Sequence, residues 1–256
     1  MADDQPPPAS SPTPGLDRVA RALSGARHVC VLTGAGISAE SGIPTFRDAL
    51  TGLWENFRPE ELASPEAFEQ DPAFVWKWYE WRRELVRRAE PNPGHHALAE
   101  LARRVPRLTL VTQNVDGLHQ RAGSTGVIEY HGNILRDRCV VEQVVADRSR
   151  DVGGELPRCA SCGGLLRPDV VWFGEAIPRD ALLRADAGAA DCDVFLSIGT
   201  SSLVYPAAGL ADEARRRGAF VAEINKDATD LSSRVHAVVR GPSGELLPEL
   251  LRRLGP

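Results

Sequence analysis

Gln113-Asn114-Val115-Asp116, followed further along by His131-Gly132, is a run of side chains placed for chemistry. Two amides, a carboxylate and an imidazole lie in one short stretch, and an imidazole exchanges protons near neutral pH. Leu108–Thr112, just ahead of them, is β-branched and apolar and reads as a short buried strand. Open α/β sheets place ligand contacts at the carboxyl ends of such strands. A second strand, Val127–Tyr130, delivers His131 with a glycine behind it. A lone histidine more often lies on the surface or caps an element. Two strand ends that both carry polar groups argue instead for one site.

The first strand is predicted to supply the other half of that site. Val29-Cys30-Val31-Leu32 runs into Thr33-Gly34-Ala35-Gly36-Ile37-Ser38 and on through Ala39-Glu40-Ser41-Gly42-Ile43-Pro44-Thr45-Phe46-Arg47. A glycine-rich turn after a strand lets backbone amides approach a pyrophosphate without a Cβ in the way. The spacing is not the dinucleotide fingerprint, which needs glycine where Ala39 stands. A bare Gly-x-Gly is a weak signal; carried through to Phe46-Arg47 it is highly specific.

These segments must be held by a larger frame. Strand patterns fit residues 28–33, 108–112, 127–130, 194–198, 219–224 and 235–239, and helical patterns fit 16–25, 94–104, 206–217 and 244–254. The alternation predicts an α/β fold, a doubly wound, Rossmann-like parallel sheet covered on both faces. Two stretches break the rhythm: 48–93 is helical in pattern, and 133–175 carries three cysteines and many turn formers. Together they are expected to form a smaller lobe beside a sheet lobe of 16–47, 94–132 and 176–256, after a Pro-rich tail at 1–15.

Composition excludes several classes. The 256 residues carry 30 Lys plus Arg against 35 Asp plus Glu, a formal charge of −5, which disfavours a general nucleic-acid binder. No apolar stretch is long enough to span a bilayer. The first fifteen residues lack the cationic and apolar regions of a signal peptide. Five cysteines are too few for a disulfide scaffold, so a reducing cytoplasm is expected. Cys30 and Cys192 fall in or beside strands and are expected in the core.

With its motifs in this order, the chain resembles the sirtuins, NAD-dependent protein lysine deacylases. The resemblance runs from about Leu16 to Leu254 and includes Pro168–Glu175, Gly199-Thr200-Ser201, Ile224-Asn225 and Gly241-Pro242. It implies that Gly34, Ala35, Gly36 and Ile37 line the pyrophosphate and that Phe46 and Arg47 close over the cofactor. Gln113, Asn114 and Val115 would hold the ribose and its neighbourhood, and Asp116 the nicotinamide carboxamide. Gly199, Thr200 and Ser201 would contact phosphate or ribose; Asn225, Lys226, Asp227 and Ser243 would lie on the adenosine side. Val171, Phe173, Gly174, Glu175 and Val204 would flank the backbone of an acyl-lysine substrate as an added strand.

In the family's reaction the acyl oxygen attacks C1′ of the ribose and nicotinamide leaves. His131, as general base beside Asn114 and Asp116, would then activate a ribose hydroxyl, giving free lysine, nicotinamide and O-acyl-ADP-ribose. The expected partners are acylated proteins, with no nucleic acid and no membrane, and the expected state is a monomer. Taken singly, the glycines and Ser201 fit simple turn chemistry equally well.

Two features set this chain apart. Sirtuins carry two cysteine pairs for a structural zinc; here Cys159 and Cys162 form one pair, but Cys139 has Glu142 where its partner belongs. Either Glu142 supplies an oxygen or the lobe is held by packing alone, with the thiols vestigial. Tyr79 and Arg82, three apart on a predicted helix, match the Tyr-x-x-Arg pair of the branch that acts on acidic acyl chains such as succinyl and malonyl. A guanidinium takes a carboxylate bidentately and a phenol adds a third hydrogen bond, while Ala49 leaves room nearby. Acetyl-lysine would also be accepted. Two other classes stay open: a protein ADP-ribosyltransferase and a non-catalytic NAD or ADP-ribose sensor.

Overall fold

A computed structural model describes residues 14–44, 58, 61–146 and 156–255. Phe46, Arg47, Ala49 and the tail at 1–13 lie outside the described residues. The strands are β1 (His28–Thr33), β2 (Arg107–Thr112), β3 (Ile128–Glu129), β4 (Gly132–Cys139), β5 (Leu166–Val170), β6 (Val194–Ile198), β7 (Phe220–Asn225) and β8 (Ala237–Arg240). The helices are α1 (Pro14–Ser24), α2 (Pro65–Gln70), α3 (Pro72–Arg88), α4 (Pro93–Arg104), α5 (Leu118–Arg121), α6 (Arg179–Asp191), α7 (Gly209–Arg216) and α8 (Ser243–Leu254).

Six strands form one parallel sheet in the order β3-β2-β1-β6-β7-β8. The chain winds outward from β1 in one direction and from β6 in the other, so these neighbours flank the point where the winding reverses. Alternation along β1 shows why both faces are covered. Val29 and Val31 pack with Leu16, Leu98, Leu101 and Leu250 of α1, α4 and α8; Cys30 and Leu32 pack with Ala185, Ala189 and Leu210 of α6 and α7. Cys192 joins the second of these cores, as expected.

A third core belongs to the smaller lobe. Antiparallel β4 and β5 pack Ile134, Cys139, Leu166 and Val170 against Phe68, Trp76, Trp78 and Tyr79 of α2 and α3. Ser64 and Asp71 cap the two helices by accepting from the amides of Ala67 and Phe74. Arg83 ties α3 to β4: it is 2 % exposed, donates to the carbonyls of Ile134 at 2.6 Å and Arg136 at 3.0 Å, and pairs with Asp137.

Five details differ from the sequence reading. Helix α1 starts at Pro14, inside the expected tail, because proline suits the first helical position. Helix α7 starts at Gly209 instead of 206, and β3 is two residues long. Helix α6 carries no strong periodic signal because its buried face is Ala185, Gly188 and Ala189. A Cβ on Gly188 would lie 2.7 Å from Thr109 Cγ2, so close helix–sheet approach replaces large apolar side chains. The β4–β5 ribbon is hidden in sequence by charged residues, among them Arg136 and Arg138, which pair across it with Asp169.

Candidate active site

The site lies at the carboxyl ends of β1, β2 and β6, where a crevice opens at the reversal of strand order. Beyond Thr33 the chain turns through Gly34 into two single 3₁₀ turns, Ala35–Ile37 and Ala39–Ser41. The Gly34 amide donates to Ile198 O at 3.0 Å and the Gly36 amide to Gly199 O at 2.7 Å. A Cβ on Gly34 would sit 2.8 Å from Gly199 O, and one on Gly36 2.7 Å from Gly199 Cα. Both glycines are therefore required by the approach of two strand-end turns, and their amides are spent on that contact. Gly199 itself has φ +59°, a conformation that glycine adopts without strain.

Polar side chains ring this double turn. Gln113 donates its side-chain amide to Thr200 Oγ1 at 3.0 Å, and Asn225 donates to Thr200 O at 3.1 Å. Asn114 Nδ2 reaches Gly34 O at 3.1 Å and Ser38 Oγ at 3.0 Å. Ser38 donates to Asp116 Oδ2 at 2.7 Å, while Asp116 Oδ1 accepts the Leu118 amide at 2.9 Å. Burial pushes the Asp116 carboxyl up, against these two hydrogen bonds and the charges of Arg121 and Arg82.

Ser38, Thr33, His95 and His119 join the network although the sequence reading gave them no role. Thr33 donates to Thr112 Oγ1 at 2.9 Å and therefore accepts from His119 Nε2, also at 2.9 Å. His95 Nδ1 accepts the Asn92 amide at 3.3 Å, which leaves its Nε2–H facing Ser38 Oγ at 3.4 Å. Burial holds His95 down to about 4 and His119 to about 3, so both are neutral near pH 7. Ser38 stood inside the quoted motif; the two histidines had no sequence signal, since their partners are far away along the chain.

His131 follows β3 and precedes β4. Its Nδ1 lies 3.0 Å from Gln113 O. A carbonyl has no proton to give, so Nδ1 carries the hydrogen and Nε2 is left as the basic nitrogen. Burial lowers the His131 pKa below the ordinary 6.5, and the bond to Gln113 partly opposes the shift. A base must be unprotonated, so activity should fall on the acid side with a midpoint at or below about pH 6.5. A pH profile of kcat/KM checks this, and an acid limb centred above pH 7 would contradict it.

The expected substrate residues come from α3 and from the segments that follow β5 and β6. Tyr79 and Arg82 share a face of α3. Tyr79 is fully buried and its hydroxyl accepts from Trp172 Nε1 at 2.8 Å, leaving its own proton to give. Burial pushes the phenol pKa up, against the charge of Arg82, so it stays a donor. The Arg82 guanidinium lies 4.8 Å from the Trp78 ring centre and 5.8 Å from that of Tyr79. Burial lowers its pKa, against the charges of Tyr79 and Asp116, which favour its ionised form.

Val171 donates its amide to His131 O and Phe173 to Ala63 O, both at 2.9 Å. Gly174 turns at φ +86° beside exposed Phe173, and Leu203 and Val204 beyond β6 are exposed as well. Glu175 turns inward, accepting from the Trp172 amide at 2.8 Å and pairing with Arg167 at 2.5 Å, which assigns it to the turn. Ser201, Lys226 and Asp227 are exposed beyond β6 and β7. Ser243 is buried at the start of α8, where Glu40 accepts the Gly244 amide at 2.7 Å.

Cys139, Glu142, Cys159 and Cys162 converge in the smaller lobe, their ligand atoms all within 4.8 Å of one another. Cys139 Sγ and Cys162 Sγ are 3.4 Å apart, near the ~3.8 Å edge of a tetrahedron with ~2.3 Å zinc–sulfur bonds. Glu142 Oε2 is 3.5 Å from Cys159 Sγ, and Ser161 Oγ orients Oε1 from 2.8 Å. The amides of Glu142 and Gly164 point at Cys139 and Cys162 sulfurs at 3.3 and 3.4 Å, which suits thiolates. Three thiolates and one carboxylate fit zinc, which would brace this lobe and take no part in proton transfer. Purified protein should carry about one zinc per chain, and Cys159→Ser should lose it and lower the melting temperature. A folded, active, zinc-free protein would contradict this. Among the described residues no helix is long and apolar enough to cross a membrane.

Comparison with known proteins agrees with this architecture. The Sir2 family model matches residues 34–206. The NAD-dependent protein deacylase of Methylococcus capsulatus is 51% identical over 248 residues, covering 93% of this chain and 96% of that protein. NAD-dependent protein deacylase 1 of Pseudomonas aeruginosa is 50% identical, covering 93% and 98%. The structure of a Sir2 homologue–NAD complex superposes with a TM-score of 0.87 at 46% identity, over 93% of each chain. A Sir2–p53 peptide–NAD+ structure gives 0.81 at 30% identity over 93% and 98%. With its strand order, its paired glycine turns, the Sir2 model matched over residues 34–206 and about half of the aligned residues shared with the two deacylases, the chain belongs to the Sir2 family.

Proposed function

We propose that this protein removes acyl groups from lysine side chains of other proteins at the expense of NAD. The observation that carries the reading is the His131–Gln113 bond, which fixes the tautomer of a half-buried imidazole against the residue that opens the Gln113–Asp116 cluster. The residues present fit the dinucleotide: a crevice at the strand reversal, half-buried amides of Gln113, Asn114 and Asn225, and Thr200 between two strand ends. Bound NAD supplies a ribose carbon from which nicotinamide departs and the hydroxyl that takes up the acyl group.

The chain's own residues do the rest. Gln113, Thr200 and Asn225 hold ribose and phosphate oxygens, and Asp116 fixes the leaving carboxamide by accepting from it. His131 Nε2 takes the proton of the attacking hydroxyl as its oxygen bonds to the acyl carbon; one water from solvent is then consumed as the acyl carbon–nitrogen bond breaks and the lysine amine leaves. Val171, Phe173 and Val204 flank the peptide around the lysine, and Glu142 completes the metal site with Cys139, Cys159 and Cys162. Arg82 and Tyr79 read the far end of the acyl chain and favour succinyl and malonyl over acetyl. The charge of −5 suits protein substrates without nucleic acid, and five free cysteines suit a reducing cytoplasm and a monomer without disulfides.

The direct check is a panel of acetyl-, malonyl-, succinyl- and glutaryl-lysine peptides assayed side by side with NAD. We expect NAD-dependent release of lysine from all, with the highest kcat/KM on the acidic chains. Highest activity on acetyl-lysine would leave the protein a general deacetylase.

A further inference from the structure

We propose that Glu129 is a positioning residue: by clasping both sides of the backbone corner that carries His131, it sets where the imidazole stands. The inference rests on His131 acting as the base, as proposed above. The corner joins the edge strand β3 of the large sheet to β4 of the smaller lobe. On one side, backbone holds it. The Tyr130 amide donates to Thr112 O and the His131 carbonyl accepts from Val171, both at 2.9 Å. Gly132 turns at φ +82°, and a Cβ there would lie 2.1 Å from Asp169 O, so the ribbon is pressed against the turn.

On the other side a single carboxylate does the holding. Glu129 Oε1 accepts from Gln120 Nε2 of α5 and from Asn133 Nδ2, both at 2.7 Å. Its Oε2 faces Arg136 Nη1 at 2.6 Å. Arg136 continues to Asp169 Oδ2 at 3.0 Å, and Asp169 Oδ1 accepts from Arg138 at 2.9 Å. Asn133 is fixed in turn, its Oδ1 accepting the Leu135 amide at 2.9 Å. Glu129 thus bridges from two residues before His131 to two residues after it, and joins α5, β3 and β4 in doing so. The Glu129 side chain is 14% exposed and that of Arg136 41%, so this charge-assisted cluster is partly sheltered from water.

A base is sensitive to such support, because a shift of about 1 Å in a catalytic group costs up to ~10²-fold in rate. The test compares two steps on the full-length enzyme. Return of labelled nicotinamide into NAD reports nicotinamide departure, which removes no proton; lysine release reports the whole reaction. Glu129→Gln keeps the volume but sets an amide donor against Arg136. It should lower kcat for lysine release about ten- to a hundredfold, with exchange and the KM for NAD within about threefold of wild type. Asn133→Ala keeps the Glu129–Arg136 pair and should shift the same ratio less. Added to His131→Ala, Glu129→Gln should cost almost nothing more, since both act through one group.

Equal losses in exchange and lysine release would overturn the proposal, showing that Glu129 only holds the lobe. So would an unchanged ratio, or losses that add to those of His131→Ala. If Glu129→Gln fails to fold, Asn133→Ala carries the same comparison. A wild-type protein that performs neither step would instead overturn the proposed function on which the inference rests.

Discussion

Replacing His131 with alanine should lower deacylation by roughly 10²–10⁴ while changing NAD affinity far less. The imidazole is half-buried, its Nδ1 is committed to the Gln113 carbonyl, and the side-chain bonds among Gln113, Thr200 and Asn225, the proposed cofactor contacts, do not pass through it. Truncation therefore removes a proton acceptor and leaves the dinucleotide crevice as it was. Steady-state kcat with NAD binding measured in parallel separates the two effects. Turnover within a few fold of wild type would remove the mechanism; a matching collapse of NAD binding would make His131 a packing residue.

The second large effect is expected at Arg82. Hydrogen bonds to a charged group are worth roughly 1.5–3 kcal/mol each, so Arg82→Met should cut kcat/KM on succinyl-lysine about ten- to a hundredfold or more. Acetyl-lysine has no carboxylate to lose, and its kcat/KM should stay within a few fold or rise. Tyr79→Phe should act in the same direction but less, since it removes one neutral donor and also leaves Trp172 Nε1 without its acceptor. Arg82 also bears on Asp116 electrostatically, so a modest loss common to both substrates is compatible with the reading. Equal large losses on both would show that Arg82 supports the lobe and does not read the acyl group.

The parts of the site that were legible in sequence are those written into short, contiguous segments. The strand-end cluster Gln113–Asp116, the turn Gly34–Ser38 and the pair Tyr79/Arg82 each lie in one short segment, where the family resemblance can mark them. The glycine turns were read as phosphate approach, with simple turn chemistry as the alternative. In the fold, Gly34 and Gly36 are also demanded by the facing turn at Gly199, a contact across 163 residues that no local pattern discloses. His95, His119 and the Glu129 clasp were missed for the same reason: their meaning is a partner far away in sequence. Helix α6 was missed because alanine and glycine form its buried face, and the β4–β5 ribbon because its arginines and aspartates look like solvent-exposed residues until they are paired. Glu142 was legible only as a broken cysteine pair; convergence with three thiols makes it a ligand candidate.

One measurement bears most directly on the chemistry proposed. Purified protein is incubated with NAD and a succinyl-lysine or acetyl-lysine peptide, and the small-molecule products are weighed by mass spectrometry. We expect free lysine peptide, nicotinamide and O-acyl-ADP-ribose in equal amounts, with none formed when NAD is omitted. ADP-ribose attached to protein, or nicotinamide release with no acylated ADP-ribose, would contradict it.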